Sequence, residues 1–176
     1  MIDFVTGKMT EEQKSIYYKY RNKFPFKIVE FMNELGIRVT ASGMQNGYSG
    51  GIRKEEDTYR VYINDSHAPA RRMFTLAHEL GHYFYDKDYL ESYSEIIDFS
   101  KQSLKIFFIK QTCVIDPKMR LMDINANQFA AELLMPENKF IKIWNKETTP
   151  EQVAKFFGVS VEAVKIRASV LLGEIF

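Results

Sequence analysis

Residues 71–85 read Arg71-Arg72-Met73-Phe74-Thr75-Leu76-Ala77-His78-Glu79-Leu80-Gly81-His82-Tyr83-Phe84-Tyr85, and the reading of this stretch decides the fold. As a helix it carries His78 and His82 one turn apart on one face, because residues four apart lie one above the other. Two imidazoles so placed can chelate one divalent ion, and the carboxylate of Glu79 beside the first can work on a water. Zinc is the expected ion, since neutral imidazole suits it and H-E-x-x-H is the zinc-peptidase signature; manganese is the second candidate.

A purely structural reading competes with this one. It makes His78 and His82 core histidines bonded to backbone, with Glu79 on a solvated stripe beside Arg72 and Thr75. Two features weigh against it. The chain has 3 histidines and this stretch holds two of them. The helix is also apolar nearly all round (Met73, Phe74, Leu76, Ala77, Leu80, Phe84), which marks a buried helix whose imidazoles need partners. Gly81 costs about 1 kcal/mol against alanine in a helix interior, so a close approach by another element is expected there.

Upstream, Thr10 and Gln13 form a capping box for a helix over 10–24, with Ile16, Tyr17, Tyr20 and Phe24 on one face. Pro25 breaks it and can open a second helix, stopped by Gly36. These are N-terminal helices over residues 1–35. From Gly36 the period becomes two. Ile37 to Thr40, Tyr48 to Lys54 and Thr58 to Ile63 predict a small antiparallel three-stranded sheet, with a polar turn at Lys54-Glu55-Glu56-Asp57. An exposed edge of such a sheet can hold an extended peptide through main-chain hydrogen bonds. His67, alone in the link before the central helix, is left out of the site.

Downstream, residues 86–117 mix acids and aromatics without a clean period. Within them, Leu104 to Ile109 reads as a strand or a short buried helix. This is an elaborated connection of the kind that often forms a lid. A second informative helix follows, from about Met119 to Met135. Asp123 lies on its apolar stripe with Met122, Ala126 and Ala130, while Asn125, Gln128 and Glu132 lie on the polar side. A carboxylate aimed into a core is costly unless it is paired or binds a metal. A catalytic zinc takes three protein ligands and leaves one position for water, so Asp123 is the best third ligand. The alternatives are that Asp123 caps a helix starting at Ile124, or that Asp86, Asp88 or Glu91 supplies the ligand.

The run Phe74 to His82, followed by Asp123-x-x-Ala126-Asn127-x-Phe129-Ala130-Ala131-Glu132-Leu133-Leu134-Met135-Pro136, resembles the ImmA/IrrE family of metallopeptidases. The sheet before the helix and the tail Val153-Ala154-x-x-Phe157-x-Val159-Ser160-x-x-Ala163 are similar too. The resemblance covers most of residues 36–172. It implies an α+β, zincin-like fold with the metallopeptidase core over 36–136. It also implies zinc held by His78, His82 and Asp123, Glu79 as general base, and cleavage of a helix-turn-helix repressor of phage, mobile-element or stress genes. The family pattern usually has glutamate where this chain has Asp123. Aspartate is a methylene shorter, so the two helices must sit closer or the metal binds weakly. Tyr83, Tyr85 and Asn127 are available as an oxyanion partner, with nothing to rank them.

The segment 137–176 predicts a helical, helix-turn-helix-like unit packed on the core. Thr149-Pro150 starts one helix, Gly158 turns the chain, and Ser160 caps a last helix through Leu172. DNA binding by that helix is a competing function, but its exposed positions offer Glu162, Lys165 and Arg167 rather than a basic stripe. The chain carries 24 Lys plus Arg against 23 acidic residues, a net charge of +1, which is poor equipment for phosphate backbones or membranes. A catalytically degenerate module that binds a regulator is the other competing reading. With 45% hydrophobic and 27% charged residues, the 176-residue chain is ordinary globular material. Cys113 is the lone cysteine, which excludes an internal disulfide and a cysteine-rich zinc site and fits a reducing compartment. No charged-then-apolar leader opens the chain and no apolar run reaches the ~18 residues of a membrane span, so a cytoplasmic protein is expected.

Overall fold

Thr10 accepts a hydrogen bond from the Gln13 N–H at 3.3 Å, while Gln13 Oε1 accepts from the Thr10 N–H at 2.9 Å. This reciprocal cap starts α1, Glu11–Tyr20. The computed structural model describes residues 4–44, 49–90, 117–145 and 147–175. The helix ends four residues earlier than its sequence period suggests. The reason is tertiary: Phe24 stacks on Phe156 and meets Phe157 edge-on, and Phe26 is 1% exposed. A continuing helix could not deliver both rings. Pro25 therefore lies in a connection and does not open α2, which spans Ile28–Glu34. Pro25 instead packs beneath Gly158, where an added Cβ would come within 2.8 Å of its own Cβ. Burying Phe31 and Met32 fully contributes about 1.5–3 kcal/mol apiece.

Gly36, at φ +76°, ends α2 and turns the chain into β1, Ile37–Ser42. β2 spans Gly50–Glu55 and β3 spans Thr58–Asn64. The three strands form one sheet in the order β1-β3-β2. β2 and β3 pair antiparallel, with Ile52 opposite Val61, but β1 runs parallel to β3, with Val39 opposite Val61. The expectation of an all-antiparallel sheet is corrected on this point. β3 is the strand whose alternate residues Tyr59, Val61 and Ile63 are all buried, so it takes the centre, whereas β1 buries only Ile37. A parallel pair needs a connection of a dozen or more residues, and residues 43–57, which contain β2, provide it.

α3, Pro69–Tyr85, lies across this sheet with Leu76, Ala77, Leu80 and Phe84 buried. α4, Pro117–Leu134, buries Met122, Ala126, Phe129, Ala130, Leu133 and Leu134. α3 and α4 cross at Gly81, where an added Cβ would meet Ala126 Cα at 2.7 Å and Ala126 O at 3.0 Å. The expectation attached to Gly81 is thereby met. The connection between these helices, read above as an elaborated lid, lies from residue 91 onward outside the described residues, together with Leu104 to Ile109 and Cys113.

Pro136 leads into α5, Glu137–Ile143, which the sequence reading did not anticipate. α6, Pro150–Phe157, starts from a second capping box, Thr149 with Gln152. Gly158 at φ +72° makes the turn, and Ser160 caps α7, Val161–Leu172. One apolar core runs through the described residues from Val5 to Ala168, so α6 and α7 pack onto the body of the protein. The exposed positions of α7 need a correction. Arg167 is 6% exposed: it pairs with Glu132 on α4 and donates from Nε to Met135 O at 3.1 Å. Glu162 is exposed and Lys165 half-buried, and Ile166 and Val170 stand beside them on the solvent side of α7. Arg167→Ala, which leaves Glu132 Oε2 and the Met135 carbonyl without this donor while Glu132 Oε1 keeps the Glu137 N–H, is expected to cost about 2 kcal/mol in urea unfolding. A loss below ~0.5 kcal/mol would mean that the link adds nothing to the docking of α7.

Candidate metal centre

Helical spacing places His78 and His82 together, and their rings meet edge-to-face at 4.7 Å between centroids. Their Nε2 atoms are 3.1 Å apart. Asp123, delivered by α4, brings Oδ1 to 3.6 Å from each of these nitrogens. Asp123 Oδ1 is buried and has no hydrogen-bond partner. Three ligands held tetrahedrally at 2.0–2.1 Å from a zinc ion are about 3.3 Å from one another, close to the spacing seen here.

The far ring nitrogens explain the orientation. His78 Nδ1 is 2.9 Å from Asn127 Oδ1, and His82 Nδ1 is 2.8 Å from Asp86 Oδ2. Both oxygens are acceptors, so each ring carries its proton on Nδ1 and turns a lone pair toward the other Nε2 and Asp123. A buried meeting of three lone-pair atoms is repulsive without a cation between them. His78, His82 and Asp123 therefore fit a divalent ion on the chemistry of the donor set alone. Asp86 orients a ring from behind and Asp88 is exposed; Glu91 lies outside the described residues.

The protonation balance agrees with that geometry. Burial, then the neighbouring His82, lowers His78 to about 4. Burial disfavours the imidazolium of His82 as well, but Asp123 and Asp86 outweigh it and hold this residue up at about 9. At neutral pH the metal-free pair thus holds one proton beyond the two on Nδ1, on His82 Nε2, where it takes the place of a cation between the three acceptor atoms.

Glu79 faces the sheet and is 5% exposed. Burial pushes its carboxyl up to about 7; Asp123 adds to the rise, while His82 and the backbone N–H of Ile52 oppose it. Its Oε2 is buried without a partner. Ile52 can reach Glu79 because β2 lies tight on α3. A Cβ on Gly50 would stand 2.4 Å from Thr75 Cγ2 and 2.8 Å from Tyr62 O, so only glycine allows that approach.

Of the three oxyanion candidates only Tyr85 has its donor committed elsewhere, while Tyr83 and Asn127 are held through their oxygens. Tyr83 accepts from Gln13 Nε2 at 3.3 Å and meets the Tyr59 ring edge-on. Tyr85 donates to Phe4 O at 2.6 Å, and Asn127 is held by His78. Sequence reading missed Asp86 and Asn127 as ring partners. Both had a local signal, since Asp86 follows His82 by four residues and Asn127 follows Asp123 by four. The contact from Ile52 had none.

Among the described residues no helix is long and apolar enough to cross a membrane. Residues 32–169 match the model of the Peptidase_M78 family, the IrrE N-terminal-like domain. The chain is 24% identical over 149 residues to "Uncharacterized immunity region protein 2" of Bacillus phage phi105, covering 85% of this chain and 82% of that protein. Its fold is similar to a solved Mycobacterium tuberculosis transcriptional regulator, with a TM-score of 0.58 at 18% identity over 95% of this chain. This chain spans 50% of the length of that regulator. With a family match over most of its length and the H-E-x-x-H helix at its centre, the chain belongs to the IrrE N-terminal-like, or ImmA/IrrE, family of metallopeptidases.

Proposed function

We propose that this protein is a zinc-dependent metallo-endopeptidase whose substrate is a helix-turn-helix repressor, with zinc, or manganese in its place, held by His78, His82 and Asp123. The observation that carries the reading is the convergence of Asp123 Oδ1 with two imidazole lone pairs, beside a buried carboxyl, Glu79, with one unpartnered oxygen. Such an ion supplies Lewis acidity, which brings the ionisation of water near neutral pH and polarises a peptide carbonyl. Glu79 takes up a proton at Oε2 and later returns it to the leaving amine. A carboxyl poised at about 7 is matched to both directions of transfer. Ile52 N–H holds Glu79 in place while this happens. Among the described residues β2 is an outer strand of the sheet and lies against α3, so its outer edge suits an extended peptide laid beside the site.

A repressor as substrate is supported by the likeness to a phage immunity-region protein and by the fold shared with a transcriptional regulator. The test is incubation of the zinc-loaded protein with purified helix-turn-helix repressors from the same genome, followed by intact-mass analysis. One or a few discrete cuts, absent with a chelator, are expected. Repressors left whole while the protein holds zinc would exclude this substrate class.

The site should also bind zinc in competition with protons. His82 stays protonated below about 9, so one proton must leave for zinc to enter, and affinity should fall about tenfold per pH unit as the pH drops below that value. Chelator competition at pH 6, 7 and 8 reads this directly, and a flat profile would contradict it.

A further inference from the structure

We propose that the outer face of the sheet is a second binding site, where Arg38, Arg60 and Arg53 take a side-chain carboxylate from an acidic segment of a partner protein. The strand register builds it. Arg38 on β1 stands opposite Arg60 on β3, and Arg60 stands opposite Arg53 on β2. Residues directly opposite share a face, and each arginine is one residue removed from Val39, Val61 or Ile52, the row that joins the apolar core. The three guanidinium groups therefore cross the sheet on the face turned away from the core and α3. With Glu55, Glu56 and Thr58 they line a pocket of about 420 Å³.

Like charges directly opposite one another are destabilising, and the fold offsets only part of this. Glu55 accepts from Arg53 Nε and from Arg60 Nε, each at 2.7 Å, and from the Tyr62 hydroxyl. Burial works against the Glu55 carboxylate, but Tyr62, Arg60 and Arg53 outweigh it and hold the group down at about 2, so it is ionised at neutral pH. Arg60 Nη1 donates to Thr40 Oγ1 at 2.9 Å. Arg60 Nη2 is left over, and Arg38 is exposed and has no partner among the described residues. Two guanidinium groups on strands about 4.8 Å apart can close on one carboxylate through paired N–H donors. Charge and width decide against a nucleic acid. Glu55 and Glu56 leave the pocket a single positive charge, and the row spans about 10 Å, two strand spacings, whereas a phosphate backbone needs several cationic contacts.

Fluorescence anisotropy tests this on the full chain, kept in chelator so that no metal holds the probe and the reading of His78, His82 and Asp123 is not involved. The probes are a labelled peptide rich in aspartate and glutamate, the same peptide with asparagine and glutamine in their place, and a labelled oligothymidylate. Only the acidic peptide is expected to bind, more weakly as salt rises. Arg38→Ala should weaken it about tenfold, the effect of losing a charge-assisted pair, with the thermal melt unchanged because the side chain has no described partner to lose. Arg38→Lys should recover only part of the loss, since lysine keeps the charge but not the planar fork. Wild-type affinity in Arg38→Ala overturns the proposal, and so does a wild-type protein that leaves the acidic peptide free. Oligothymidylate bound as tightly as the peptide overturns it too, by making the site one for phosphate.

Discussion

Exchanging Glu79 for glutamine is expected to lower peptide cleavage by roughly 10²- to 10⁴-fold while leaving the zinc content unchanged. Glutamine keeps the shape of the side chain and can still meet the Ile52 N–H through its carbonyl oxygen, but it cannot take up a proton. The same substitution has a second, independent signature. Burial raises Glu79 from 4.5 to about 7. A carboxyl whose folded pKa lies above its unfolded value binds its proton more tightly in the folded state. Its contribution to stability is therefore fullest below pH 4.5 and is lost as the pH rises through about 7. Above that pH the metal-free protein carries a buried, ionised carboxylate that glutamine lacks. In urea with a chelator at pH 8, Glu79→Gln should be the more stable protein, by on the order of 1–3 kcal/mol, and the difference should shrink toward pH 4.5. A variant that cuts as fast as wild type would end the role given to Glu79. A stability difference that ignores pH would show that the carboxyl is not held protonated by its surroundings.

Removal of the third ligand acts on the metal instead. Asp123→Ala leaves two imidazoles and takes away the carboxylate that lies 3.6 Å from each. Two neutral nitrogens cannot offset the charge of a divalent ion, nor close a three-ligand site, so zinc affinity should drop by at least about a hundredfold. Mass spectrometry of protein purified without chelators should find close to one zinc per wild-type chain and next to none in the variant. The metal-free variant should also show His82 titrating below the wild-type position, since Asp123 is among the groups that hold it at about 9. Equal zinc in both proteins would move the third ligand elsewhere. The two variants separate the roles: Glu79→Gln holds zinc without cutting, and Asp123→Ala does neither.

The histidine pair, the caps at Thr10, Thr149 and Ser160, and the turns at Gly36 and Gly158 were all legible in the sequence. Each depends on contacts within one or two helical turns, where the covalent chain itself fixes the geometry. Asp123 was legible for a different reason: a charge on an otherwise apolar stripe needs a partner wherever the stripe goes. Gly81 announced a close approach but not which element approaches, and only the packed structure names Ala126. The parallel pairing of β1 with β3 was hidden because each strand alternates in the same way in either direction, and strand order follows from which one buries most. The early end of α1, the position of Pro25 beneath Gly158 and the burial of Arg167 against Glu132 answer to residues more than 30 positions away. So does the setting of Glu79: its type and place on α3 come from the sequence, but its raised proton affinity comes from tertiary burial, to which β2, cleared by Gly50, contributes, and from Asp123 on α4.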